Sequence, residues 1–321
     1  MPYFFDTNVI RYLSTGLAGQ NLPKDQKSRV VVSAVSAIEV VSQIALSPQE
    51  ALDAVHTFEN WLDTDQAILL DWSETFVGQH VFGIPPKESI FDLLRQVLNV
   101  CYRTSKPDAR LVRDATRLRD FNEHAKQPKA QLFEQAVKAL RQRALSQDDL
   151  RAALPRDIVV SMRAKYDQQS KGGVTDSQIE AALSAYIEYH TDLTARAVNN
   201  WKFNFFSREH LNALFDAEQL AYLVDPSLTF ITADRDFRCV SQSAQQTRIR
   251  IVEANDLRDP ARVLGLLTRE LKLSALPPAA ERVISNEEIA RHAYYHWERR
   301  GRPFGSPDVD WYWAIEDLKR V

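Results

Sequence analysis

The 321 residues carry 40 Lys or Arg against 43 Asp or Glu, a formal charge of −3, and 45% are hydrophobic; this excludes a disordered or collagen-like chain and supplies a core for one large domain or two smaller ones. Two cysteines, Cys101 and Cys239, are too few for a disulfide framework and lack the Cys-x-x-Cys spacing of zinc or redox sites. The N-terminus shows no basic segment leading into a long apolar run and no stretch is apolar enough to span a membrane, so the expectation is a cytoplasmic protein.

The apolar run Tyr3-Phe4-Phe5 ends on Asp6-Thr7-Asn8 and resumes at helical spacing with Val9, Ile10 and Leu13. This reads as a short buried strand that delivers a carboxylate just before a helix running through about Leu17. Taken alone, Asp6 reads first as a helix N-cap, a role that needs no function. A polar loop with Gly19, Asn21 and Pro23 leads to a β-branched strand at 30–35 and then to a helix whose apolar face is Val35, Ile38, Val41 and Ile44. That helix carries Glu39 one to two turns past the strand. Pro48-Gln49-Glu50 opens another helix, residues 67–71 form a short strand, a helix follows near 73–80, and Gly-Ile-Pro-Pro at 83–86 interrupts the pattern. Such alternation favours a layered α/β fold.

From about Pro86 to Asn200 strand signals vanish and helical periodicity dominates, with breaks expected near Pro107, Pro128, Pro155 and Gly172-Gly173. The segment 84–204 is therefore a helical insertion. Residues 101–165 hold 15 Lys or Arg and 8 Asp or Glu, a local charge of +7 in an acidic protein. Arg110, Arg113, Arg117 and Arg119 are spaced so that several share a helix face and could follow a nucleic-acid backbone; a solvated helix surface explains them as well. Trp201, Phe203, Phe205 and Phe206 alternate like a half-buried strand, a pattern more often core than a stacking platform for bases.

Layering returns at 209–237. A helix has Asp216 near its start, Asp225-Pro226-Ser227 is a turn, and a buried strand at 228–232 ends on Ala233-Asp234-Arg235-Asp236. A strand at 248–252 closes the sheet, and a helix and linker occupy 256–281. Ser285 with Glu288 forms a capping box for a helix to Arg300, ended by Gly301, and a second helix covers Asp308–Lys319, giving a C-terminal helical hairpin at 282–321. His292 and His296 stand four apart but lack the Glu of a zinc-binding His-Glu-x-x-His helix.

Asp6, Glu39, Asp216 and Asp234, with Asp236 beside the last, occupy comparable places at strand ends and helix starts. Carboxylates are hard ligands suited to Mg²⁺ or Mn²⁺, and several brought within a few ångströms repel one another unless a cation offsets the charge. Each also has a simpler reading, as a cap, an exposed helix position or a turn residue. Tyr3-Phe4-Phe5-Asp6-Thr7-Asn8, the strand-then-helix Glu39, Asp216-Ala217 and Thr232-x-Asp234-x-Asp236-Phe237 follow in this order with 18 positions from Asp216 to Asp234. Together they resemble a PIN-domain nuclease.

The resemblance covers about residues 1–83 and 205–255, which it makes the catalytic core. It implies a three-layer α/β fold with a parallel sheet and a Mg²⁺- or Mn²⁺-dependent hydrolase acting on RNA, often the toxin of a toxin–antitoxin pair. Carried over by position, Asp6, Glu39, Asp216 and Asp234 are the catalytic and metal-binding acids, Asp236 an auxiliary ligand, and Thr7, Asn8 and Thr232 their hydrogen-bonding support. The chain departs from compact members of the family in the helical block of more than a hundred residues between Glu39 and Asp216. Residues 285–318, with Trp297-x-x-x-Gly301-x-Pro303, separately resemble a small bacterial domain family of unknown function, which implies no activity. The expectation is thus a metal-dependent endoribonuclease. Its rivals are a non-catalytic RNA- or protein-binding module on the same fold and a DNA-directed nuclease of the same chemistry; an antitoxin or other protein partner and a homo-oligomer stay open.

Overall fold

The computed structural model describes residues 3–16, 30–61, 69–85, 91–143, 145–166, 173–241 and 243–253, with 262, 290 and 293. β1 (Tyr3–Phe5) leads into α1 (Thr7–Gly16), and β2 (Val30–Ser33) into α2 (Ala34–Gln43); α3 (Pro48–Trp61), β3 (Leu69–Leu70) and α4 (Ser73–Phe82) follow. A helical block comprises α5 (Phe91–Tyr102), α6 (Ala109–Gln142), α7 (Gln147–Tyr166), α8 (Asp176–Ala182) and α9 (Ser184–Asn199). Then come α10 (Arg208–Ala221), β4 (Thr229–Thr232), a 3-10 turn at Arg235–Val240 and β5 (Ile249–Ile251). The chain divides into two compact units, Met1–Lys272 and Leu273–Val321.

The strands form one parallel sheet in the order β3-β2-β1-β4-β5, with Phe4 opposite both Val31 and Phe230. Successive strand residues face opposite sides of a sheet, yet Phe4 and Phe5, Val31 and Val32, and Phe230 and Ile231 are all buried, so both faces are covered. This is an α/β protein with an all-parallel sheet. Phe4 stacks on Phe230 at 4.9 Å and meets the edge of Tyr222 at 5.7 Å, while Phe237 meets Phe230 edge-on at 5.1 Å. Strand order reverses between β1 and β4, and the crevice beyond the carboxyl ends of such a pair is where open parallel sheets bind ligands.

A buried polar knot ties α10 to that crevice. Ser33 Oγ donates to Gln219 Oε1 at 3.0 Å, Gln219 Nε2 donates to Ser36 Oγ at 2.9 Å, and Ser36 Oγ donates to the Phe5 carbonyl at 2.8 Å. Gln219 is 1% exposed. Gln219→Leu removes both amide bonds and leaves Ser33 Oγ to donate to Ser36 Oγ at 3.0 Å, so it is expected to cost about 1–2 kcal/mol, read as a lower urea midpoint at unchanged slope. A midpoint equal to the parent's would show that the knot contributes nothing.

The structure corrects several expectations. The second strand stops at Ser33 instead of residue 35, because the Ser33 side chain accepts the Ser36 N–H and starts α2. Pro128 and Pro155 do not break the chain but lie inside α6 and α7. Each ring removes one backbone bond, and buried residues on both flanks, such as Leu118 and Ala130 in α6 or Leu154 and Val159 in α7, hold the helix continuous. Residues 201–206 form turns instead of a strand, since Asn200 and Asn204 side chains accept the Lys202 and Phe206 N–H groups at 3.0 and 3.1 Å. Asp216 lies two turns inside α10, which begins at Arg208 under a Ser207 cap. Gly83, at φ 64°, ends α4 in the left-handed region.

The linker at 274–281, the Ser285–Glu288 capping box, His292/His296 and all but residues 290 and 293 of the two C-terminal helices lie outside the described residues, as does nearly all of 256–281. Among the described residues no helix is long and apolar enough to cross a membrane.

Candidate metal centre

Each acid reaches the crevice on a different element. The Asp6 N–H donates to the Ile231 carbonyl at 2.9 Å, extending the β1–β4 ladder by one residue, and its carbonyl accepts the Ile10 N–H at 3.1 Å, starting α1. Its carboxylate turns to Thr232, whose Oγ1 donates to Asp6 Oδ2 at 3.0 Å while accepting the Asp234 N–H at 3.0 Å. One fully buried hydroxyl therefore links the ends of the two central strands. Thr7 Oγ1 donates to Glu39 Oε2 at 2.5 Å, bringing α2 to the same place. Asp234 Oδ1 accepts the Asp236 N–H at 2.8 Å, which is the turn role that the sequence also allowed.

Asp6, Glu39, Asp216, Asp234 and Asp236, with Thr7 and Asn8, line one cleft of about 670 Å³. Thr7 and Thr232 hold carboxylates there; Asn8 lines the wall without a side-chain hydrogen bond to a described residue. Burial first, then the charges of Glu39 and Asp234, push the Asp6 carboxyl up to about 7. Burial raises Glu39 against the pull of the Thr7 hydroxyl and the Lys126 charge. Asp216 is driven well above its ordinary range by burial and then by Asp6, Glu39, Asp234 and Asp236. Burial raises Asp234 too, opposed by the Asp236 N–H.

The acids share a cleft, yet among the described residues no group of three or more His, Cys, Asp or Glu is arranged to hold a metal ion. Like charges settle apart, Asp6 on Thr232, Glu39 on Thr7 and Asp234 on the Asp236 N–H. The Asp216 and Asp236 carboxylates have no donor among the described residues, and of the two Asp216 is the one driven well above its ordinary range. In kind, the donor set suits a hard divalent cation: every candidate ligand is a carboxylate oxygen. Three buried hydroxyls are unpartnered among the described residues, Ser42 Oγ in the cleft wall, Thr191 Oγ1, and Tyr189 OH, which feels the charges of Asp216, Asp234 and Asp236.

Cations line the same cleft, and sequence reasoning found one of them. Arg119 is in the wall, but Arg110, Arg113 and Arg117 are not; they gather around Asp114 at 4.0, 3.9 and 3.6 Å on the outer face of α6. Nine residues at 100° each place Arg119 about half a turn round the helix from Arg110. The inward stripe is Arg119, Asn122, Glu123 and Lys126, facing Glu39, Ser42 and Gln43 of α2 and Leu46 in the turn after it. The i, i+3, i+4, i+7 spacing of polar residues on α6 was the signal available for Lys126. Arg11, Arg196 and Arg208 also line it, Arg11 paired to Glu50 at 3.2 Å and Arg196 to Asp192 at 3.0 Å. Of the aromatic run, Phe203 and Phe205 are core, Trp201 lies under the Arg141 guanidinium at 4.7 Å, and Phe206 lines the cleft.

Fold and site together define an α/β protein with a polar, acid-centred cleft at the switch point of a parallel sheet. A family described as a protein of unknown function (DUF2934) matches residues 284–319, the stretch in which the sequence resembles a small bacterial domain family. No curated protein and no solved structure matches the chain.

Proposed function

We propose that the chain is a PIN-like, divalent-metal-dependent endoribonuclease whose centre is Asp6, Glu39, Asp216 and Asp234, with Asp236 as auxiliary. The observation that carries this reading is Asp216, a carboxylate without a hydrogen-bond donor among the described residues, set among four others at the point where strand order reverses. When bound, Mg²⁺ or Mn²⁺ supplies water activation and stabilises charge on the phosphoryl and leaving oxygens. Thr232 and Thr7 fix the Asp6 and Glu39 carboxylates so that these oxygens face the cleft. Arg119, Lys126, Arg196 and Arg208 offset the acids and attract a phosphate backbone. No thiol nucleophile competes, since burial pushes both Cys101 and Cys239 up to about 12 and keeps them protonated at neutral pH.

The test is a panel of single-stranded and folded RNA and the equivalent DNA, incubated with the purified protein in Mn²⁺, Mg²⁺ or chelator. RNA cleavage that requires either metal and stops with chelator is expected. Metal-dependent cleavage of DNA alone would transfer the same chemistry to the DNA-directed alternative. Binding of RNA without any cleavage would make the fold a binding module and end the hydrolase reading.

A further inference from the structure

Lys126 is an unusual residue for its position. It belongs to α6, in the helical block that separates Glu39 from Asp216, and is 5% exposed. Its Nζ stands 3.4 Å from Glu123 Oε1, 3.3 Å from Asn212 Oδ1 and 5.0 Å from the centre of the Phe215 ring. Both polar contacts are at the long end of hydrogen bonding, and Glu123 is itself 51% exposed. An ammonium has three donors, and a buried charge held this loosely is costly unless something else meets it. Across the same cleft lie Glu39, whose ionised form the Lys126 charge favours, and Ser42 Oγ, 4% exposed and without a partner.

A cleft centred on five carboxylates repels a phosphodiester. A fixed ammonium in a desolvated wall is the element that reverses this locally, because its field is weakly screened there. We propose that Lys126 contacts a phosphate oxygen of the substrate and that the same fixed charge holds down the affinity of the cleft for divalent cations. The assignment rests on the reading of the cleft as a metal-dependent phosphodiesterase. It gives the insertion a chemical part in the site, a positive charge opposite the acids of the sheet. Lysine serves here as a compact point charge, which arginine can replace in sign although not in shape.

One substitution must then move two ligands in opposite directions. Calorimetric titrations of the full chain, with Mn²⁺ alone and with inorganic phosphate in the presence of Mg²⁺, compare the parent with Lys126→Met and Lys126→Arg. Lys126→Met is expected to bind Mn²⁺ about tenfold more tightly and phosphate about tenfold more weakly, while Lys126→Arg keeps both within about threefold. A merely structural lysine would weaken both ligands together when removed, and that result, or no change in either, overturns the assignment. Lys126→Gln replaces Lys126→Met if the latter fails to fold by circular dichroism, with the same two expectations. Parent protein that binds no Mn²⁺ overturns the metal reading and this inference with it; a parent that binds Mn²⁺ beside an unchanged Lys126→Met overturns the lysine assignment alone.

Discussion

Asp216→Asn is expected to melt above the parent in metal-free buffer while losing at least about 10²–10³-fold of the metal-dependent cleavage rate. Both effects have one cause. The Asp216 carboxylate faces Asp6, Glu39, Asp234 and Asp236 with no donor of its own among the described residues, so its ionised form is destabilised in the folded protein. Asn keeps the volume and removes the charge. Relief of about 1–2 kcal/mol corresponds to roughly 2–8 °C in a domain of this size. The same change takes an anionic oxygen from the metal centre. Thermal melts with chelator and a cleavage time course with Mn²⁺ read the two sides. A variant that melts below the parent, or that cleaves at the parental rate, would remove Asp216 from the centre.

The second large effect is on pH dependence, isolated by comparing the parent with Asp6→Asn. The Asp6 carboxyl is held at about 7 in the folded chain against an ordinary value of 3.8. The native state therefore binds this proton more tightly than the unfolded state. Its contribution to stability is complete below about pH 4 and is lost as pH rises through about 7. Glu39, Asp216 and Asp234 are raised as well and act in the same sense. His190 opposes them at lower pH: burial, then the Lys129 charge, lowers it to about 4, so its contribution grows from about pH 4 to 6.5. Glu74, lowered chiefly by Lys165 against its own burial, likewise favours folding above its ordinary 4.5.

Because those opposing groups remain in both proteins, the difference between them follows the Asp6 proton. In metal-free buffer Asp6→Asn gains on the parent from pH 4 to 8, with an upper limit of about 4 kcal/mol for a carboxyl displaced from 3.8 to about 7. Saturating Mn²⁺ should erase that gain, since an ion that binds only the native parent raises its stability by mass action. Urea denaturation at pH 5, 6, 7 and 8, with chelator and with Mn²⁺, measures this. A difference that stays flat with pH, or that Mn²⁺ leaves untouched, would show that Asp6 is neither strained nor a ligand.

Much of the site was legible because strand ends are written locally. Tyr3-Phe4-Phe5 followed by Asp6, and the buried run before Thr232 and Asp234, identify carboxyl ends of strands from hydrophobicity and turn chemistry alone. The internal caps were harder. Ser33 looks like part of a β-branched strand until its hydroxyl is seen to accept the Ser36 N–H, and Pro128 looks like a stop until packing on both flanks of α6 is known. The aromatic run at 201–206 has the alternation of a strand but the backbone of two Asn-based turns, because a side-chain acceptor two residues back competes with a sheet partner.

By itself the sequence determined an α/β chain with acids at strand ends, a basic helical block at 101–165, and a distinct C-terminal stretch matched by a family of unknown function. Only the tertiary structure decided the strand order that sets β1 beside β4, the link through Thr232 to Asp6 across 226 positions, and which face of α6 turns inward. The reason is physical. A helical stripe or a strand end specifies what a residue can offer, a charge or a hydroxyl on a given face, but the group that it meets is set by packing between segments far apart in the chain. Arg119 and Lys126 lie at the acidic cleft, and Arg110, Arg113 and Arg117 outside it, through that packing.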